Sequence, residues 1–173
     1  PKNFLKSYIN KLDKQKLYFT EPEITNFIKA YSPTLITFFE QGNLFPGFEI
    51  YNIYKEKSLK RLDWVVKRLT LDFNFDSNMS YDTNRDIIKW EQTQNNLDLS
   101  WNKLLKYEVL SEVLSKIETN SSNSINYLQD LDKMINESKA QVSKRYSRWK
   151  KNISDFEATD VQELYLTTLT QMF

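Results

Sequence analysis

Cysteine and histidine are both absent from the 173-residue chain. Without cysteine there are no disulfides, no thiolate metal sites and no cysteine nucleophile, although no compartment is named by that absence. Without histidine the chain loses the usual metal ligand and the usual general base near neutral pH. Ser-His-Asp and Cys-His mechanisms are thereby excluded within it. A Ser-Lys dyad or a carboxylate pair is left open by composition. Glycine (2) and proline (4) are scarce, so tight turns are few and long helices are favoured. Charge of one sign is not in excess: 24 basic and 23 acidic residues leave a formal net charge of +1. The balance gives no global reason to expect nucleic acid or an acidic membrane as partner. No run approaches the roughly 20 apolar residues of a membrane span. No signal peptide is visible, and Pro1 points to a processed or excised chain, so export is not legible from the N-terminus.

What is present argues for a packed fold. Hydrophobic residues make up 40% and aromatics 14% of the chain, which argues against disorder. The length suits one domain with a real core. The chain is organised around Phe45 to Phe73. There Phe48, Tyr51, Leu62, Val65, Val66 and Leu69 recur at steps that build one buried face of a helix. Glu56/Lys60 and Asp63/Lys67 lie four apart with the acid first, the favourable order on a wet face. Pro46 suits the first turn, where its missing N–H costs nothing.

Other helices follow from the same reading. Phe4, Leu5, Tyr8, Ile9 and Leu12 mark a short one over 3–12. Thr20 and Glu23 form a capping box, with Pro22 in the first turn, for a helix presenting Ile24, Phe27, Ile28, Tyr31, Leu35, Phe38 and Phe39. Ser32-Pro33 predicts a kink or a restart, and Gly42 a left-handed terminus. Residues 70–96 are polar and long for a connection. Phe73, Phe75, Ile87, Ile88 and Trp90 suggest that this segment packs over the core. A further helix starts at Leu97 and carries Trp101, Leu104, Leu105, Val109, Val113, Leu114 and Ile117, until the polar run 119–124 breaks it. Then Ile125, Leu128, Leu131, Ile135, Val142, Tyr146, Trp149, Ile153 and Phe156 form the longest stripe, some 32 residues or roughly 48 Å if continuous. A bend at Ser138-Lys139 and a coiled coil are the alternatives there. The last helix opens on a Thr159/Gln162 capping box and reaches Phe173 in mid-pattern, as at a cut. The predicted fold is all-α: an irregular multi-helix domain of about six helices, with long helices at about 46–69 and 125–156, in one domain over 1–173.

Few constellations suggest chemistry. Asp72, Asn74, Asp76, Asn78 and Ser80 place oxygens at alternate positions, like the start of a calcium loop. The required sixth-position glycine and twelfth-position glutamate are Ser77 and Thr83 instead, which favours a loop satisfying its own backbone. The stretch 139–151 carries six basic residues and no acid, with Tyr146 and Trp149 interleaved. It reads either as a phosphate-tracking patch or as part of an amphipathic helix, with both aromatics buried and Lys144, Arg148 and Lys151 on the wet face. The second fits the spacing better. The four tryptophans (64, 90, 101 and 149) read as core. No residue is singled out as catalytic, cofactor-binding or metal-ligating, and no cofactor is expected.

The order of the motifs resembles the N-terminal helical domain of the tail-specific proteases, the larger bacterial carboxyl-terminal processing serine peptidases. Leu12-Asp13 through Lys16, Tyr18 and Phe19 is similar to the family's L-D-x-x-K-x-Y-F. Gly42-Asn43-Leu44, Phe48-Glu49-Ile50-Tyr51-Asn52, Arg61-Leu62 and Asp72-Phe73 follow in the family's order. Arg85 and Trp90 resemble its D-R-x-x-x-x-W, Leu97-Asp98 to Trp101 its E-L-x-x-L-W, and Lys144-Arg145-Tyr146 its K-R-Y. Asp160-Val161 through Leu169-Thr170 resembles the stretch that leads into D-P-H-T and a PDZ domain. Departures are Gln162, where an aromatic is usual, Asp155 in place of a common Gln, and the segment around 115–139.

This resemblance implies a parent serine endopeptidase in the periplasm that recognises nonpolar C-termini through a PDZ domain. Cleavage would use a Ser-Lys dyad, the lysine serving as general base, with all of those residues beyond Phe173. The present chain would be a non-catalytic scaffold. Its implied partners are the PDZ domain, protease core and C-terminal helical region of the same chain, protein substrates, and an adaptor lipoprotein of helical repeats in some members. The rival readings are a free-standing helical adaptor that binds partner helices and a nucleic-acid binder using 139–151.

Overall fold

A computed structural model describes residues 1–75, 79–120 and 127–172. Among the described residues it is all-α, with seven helices: α1 (Lys2–Leu12), α2 (Glu21–Tyr31), α3 (Leu35–Glu40), α4 (Phe45–Leu69), α5 (Gln94–Asn120), α6 (Tyr127–Asp155) and α7 (Ala158–Thr170). The expected kink at Ser32-Pro33 is a full break between α2 and α3. Gly42 has φ +63, the left-handed turn expected of it. The Glu23 carboxylate accepts from the backbone N–H and the hydroxyl of Thr20 at 2.8 and 2.9 Å, closing the capping box that starts α2.

Three long helices set the frame. α6 runs antiparallel to both α4 and α5. Along one side Phe156 stacks on Tyr51 with ring centroids 5.2 Å apart, and Lys55 Nζ donates to Ser154 O at 2.9 Å. Lys150 pairs with Asp63, and Lys139 with Asp72 at 3.6 Å. Along the other side Trp101 meets Tyr146 edge-on at 5.8 Å, Glu108 pairs with Arg145 at 3.2 Å, and Lys116 with Glu137 at 3.4 Å. Glu56 and Lys60 form the expected pair at 2.6 Å, whereas the Asp63 partner is Lys150 rather than Lys67.

α1 and α7 close the other end of α4. The Tyr165 ring stacks on Phe39 and meets Phe4 and Tyr8 edge-on. A Cβ at Gly47 would lie 2.6 Å from that ring, so only glycine lets α4 and α7 come this close. Tyr8 Oη donates to Gly47 O at 3.0 Å.

Several sequence expectations are corrected. The α7 box is formed by Glu157 and Asp160, whose carboxylate accepts the Glu157 N–H at 2.8 Å. It lies two residues before the Thr159/Gln162 position because Phe156, stacked on Tyr51, ends α6 and fixes the turn. α6 passes through Ser138 and Lys139 as a helix, and both side chains are buried. The helix is therefore covered where its stripe looks weakest. Leu131 is 38% exposed and Met134 takes the buried position instead. The buried line runs Met134, Ser138, Val142 and Tyr146, in steps of four. Ile125 and the side chain of Leu128 lie outside the described residues, and α7 ends at Thr170 with Gln171 as its C-cap, short of the expected run to the last residue. Ile87 is 73% exposed, while Phe73, Phe75 and Trp90 do pack on the core.

Candidate binding cleft

The turn between α1 and α2 is built on one carboxylate. Asp13 is buried, and its oxygens accept from the backbone N–H groups of Leu17 (2.8 Å), Tyr18 (3.2 Å) and Phe19 (3.0 Å), and from the Trp90 indole (3.1 Å). Burial pushes the Asp13 carboxyl up, against the downward pull of these four donors. Lys16 adopts φ +54, which turns its buried side chain back to donate to Arg85 O (3.0 Å) and Asp86 O (2.9 Å). Arg85 Nε returns a bond to Gln15 O at 3.0 Å, and Glu21 N donates to Glu91 O at 2.9 Å. The segment after α4 is thus clamped along this turn. Trp101 Nε1 donates to Leu17 O at 2.7 Å and ties α5 to the same place.

Beside this turn lies a cleft of about 770 Å³, walled by the end of α1, the Asp13 turn, α5 and α6. Its floor is apolar and aromatic: Leu12, Leu17, Tyr18, Tyr54, Trp101, Leu104 and Tyr146. Trp149 stands at its edge, 46% exposed, with its indole N–H donating to Tyr18 Oη at 3.3 Å. This corrects the reading of Trp149 as core: its indole N–H is tied to Tyr18 and 46% of the residue stays open to solvent. Trp101 is the one fully buried tryptophan, and Trp64 and Trp90 are half-buried. Burial holds the Tyr18 and Tyr146 phenols far above their ordinary range and pushes Tyr54 up to about 12. All three are therefore neutral at physiological pH, and none supplies a phenolate nucleophile or base.

The rim is cationic. Lys11, Lys14, Arg145, Arg148 and Lys151 line the cleft against two carboxylates, Asp13 and Glu108. Asp13 is consumed by the turn, and Glu108 is paired with Arg145. Lys14, Arg148 and Lys151 are exposed and have no acidic partner among the described residues. The basic stretch 139–151 is thus divided by function. Lys139, Arg145 and Lys150 are held in ion pairs, Tyr146 is buried, and Arg148, Trp149 and Lys151 face the cleft. The sequence singled out part of this wall. It missed Lys11, Lys14, Tyr54 and Leu104 as parts of a site, since they come from α1, the turn after it, α4 and α5, which only the fold assembles.

The calcium-like loop offers no such arrangement. Asp72 is turned to Lys139, and the Asp82 carboxylate accepts the Asn84 backbone N–H at 2.9 Å. Asp76, Ser77 and Asn78 lie outside the described residues. Among the described residues no cluster of three or more acidic side chains is placed to hold a metal ion, and no helix is long and apolar enough to cross a membrane.

A family model described as the tail specific protease N-terminal domain matches residues 1–173. The chain is also 21% identical, over 164 residues, to a protein of Haemophilus influenzae described as a tail-specific protease. That match covers 95% of this chain and 21% of the relative, so the chain spans about a fifth of the curated relative's length.

Proposed function

Since the chain belongs to the tail-specific protease N-terminal domain family, we propose that it is the non-catalytic scaffold and interaction domain of a periplasmic serine endopeptidase. The parent enzyme processes or degrades proteins with nonpolar C-termini. The observation that carries this reading is the family match across the whole chain. Residues 1–173 act as one domain, whose core draws on every helix for more than one buried or packed side chain, α3 included through Leu35 and Phe39. Six of the residues that carry the family resemblance meet at one place: Asp13, Lys16, Arg85, Trp90, Trp101 and Tyr146 surround the turn after α1. They hold architecture there rather than chemistry. A PDZ domain, a protease core with its Ser-Lys dyad and a C-terminal helical region lie elsewhere in the parent chain, and this domain packs with them to shape substrate access. An adaptor built of helical repeats is a further partner.

Sequencing the gene on both sides of this segment tests the proposal. An upstream signal peptide and a downstream PDZ domain followed by a protease core with Ser and Lys are expected. A stop codon soon after codon 173 would overturn it and leave a free-standing helical adaptor.

A further inference from the structure

We propose that the cleft between α1, α5 and α6 binds an extended polypeptide segment that places acidic side chains on either side of a large apolar one. This rests on the reading of the domain as one that meets protein chains. The whole chain is nearly neutral, with a formal net charge of +1, yet the cleft gathers five cations against two carboxylates that are already engaged. Lys14, Arg148 and Lys151 stand at its margin as charges with no acidic partner among the described residues. Uncompensated charge over an apolar floor selects a ligand of opposite sign with an apolar centre. Trp149 supplies an anchor, since its indole N–H is held by Tyr18 Oη while close to half of the residue stays exposed. Half-exposed aromatics of this kind dominate recognition surfaces.

The cleft volume of about 770 Å³ matches a few side chains rather than a folded surface. A single-stranded nucleic acid needs a series of open rings on which successive bases stack. Here Tyr18, Tyr54, Trp101 and Tyr146 are all buried, and among the rings that line the cleft Trp149 alone is exposed.

The test is fluorescence anisotropy on the 173-residue chain with labelled 12-residue peptides. One carries aspartates flanking Phe-Leu, one carries lysines at the aspartate positions, and one carries serines in place of Phe-Leu. The aspartate peptide should bind about tenfold more tightly than either relative, and less tightly as salt rises. Arg148→Glu/Lys151→Glu should weaken the aspartate peptide about tenfold and strengthen the lysine peptide. Both residues are exposed, and this exchange of preference is a readout that a folding defect does not produce. Trp149→Ala should weaken both charged peptides alike. Equal binding of aspartate and lysine peptides, binding unchanged in the variants, or no binding would overturn the proposal. Tighter binding of a 12-nucleotide oligothymidylate than of the aspartate peptide would overturn it too and assign the cleft to nucleic acid. The two readings fail separately. A missing protease core in the gene leaves the peptide affinities standing, and missing affinity leaves a PDZ domain downstream unaffected.

Discussion

The four donors on Asp13 are three backbone N–H groups and one indole, all brought to one buried carboxylate. Backbone donors in a turn have no second choice of partner once water is excluded. Asp13→Ala leaves them unsatisfied, and each buried unpaired donor costs about 1–3 kcal/mol. A loss of about 3 kcal/mol or more is expected, read as a lower urea midpoint. Asp13→Asn keeps one acceptor oxygen but turns an amide N–H₂ toward N–H donors, so it should fall between the two. Glu23 gives a pH-dependent case. Burial raises its carboxyl, but hydrogen bonds from Lys57 and Thr20 outweigh this and hold it below its ordinary 4.5. A carboxylate whose folded value is depressed contributes stability above the unfolded value and loses it as pH falls through the folded one. Glu23→Gln should therefore be less stable than the parent at pH 7, with the gap narrowing as the pH drops below 4.5. Urea titrations at pH 7, 4 and 3 check this. A gap that stays constant would assign the effect of Glu23 to packing alone.

At the scale of elements, α6 shows what a periodicity reading captures and what it loses. Val142, Tyr146 and Ile153 are buried as their spacing requires. Leu131 loses its place to Met134 because α6 packs on α4 and α5 at once. Its covered face is therefore wider than one stripe and drifts in steps of four. Ser138 looks polar in sequence yet is fully buried, since a small side chain is what a close helix contact admits. No propensity scale reports that need. The α7 cap shifted for a related reason: the Phe156–Tyr51 stack is a long-range contact, and capping signals are local. The cleft was legible only as its α6 wall, because its other residues join it through tertiary packing. Ser138 Oγ has no hydrogen-bond partner among the described residues. Ser138→Ala removes an unpaired hydroxyl and improves helix propensity, so stability should hold or rise by up to about 1 kcal/mol. Ser138→Leu overfills the same contact and should cost about 1–3 kcal/mol. Thermal unfolding of the pair, with opposite signs expected, checks that tight packing is what this position requires.

For the whole molecule, α5 carries the strongest sign that more protein packs against this one. Its inner face buries Leu97, Trp101, Leu105, Val109 and Val113, while Leu99, Tyr107, Leu110 and Leu114 are exposed on the opposite face. A helix that is apolar on both sides belongs inside something larger, and large exposed apolar patches mark sites of association. If the proposed parent protease covers this face, the chain by itself should bind a hydrophobic dye such as anilinonaphthalene sulfonate and self-associate as its concentration rises. Leu110→Glu/Leu114→Glu should abolish both. The urea midpoint should change little, because exposed side chains contribute little burial energy to lose. A monomeric chain with no dye signal would instead mean that the outer face of α5 needs no cover, and the case for a neighbouring domain on that side would fall. Dye binding that survives the double substitution would move the uncovered surface elsewhere, to the exposed Ile36 of α3 and Phe45 at the start of α4. Arg148→Glu/Lys151→Glu in the cleft should leave the dye signal untouched, because those charges lie across α5 from its outer face.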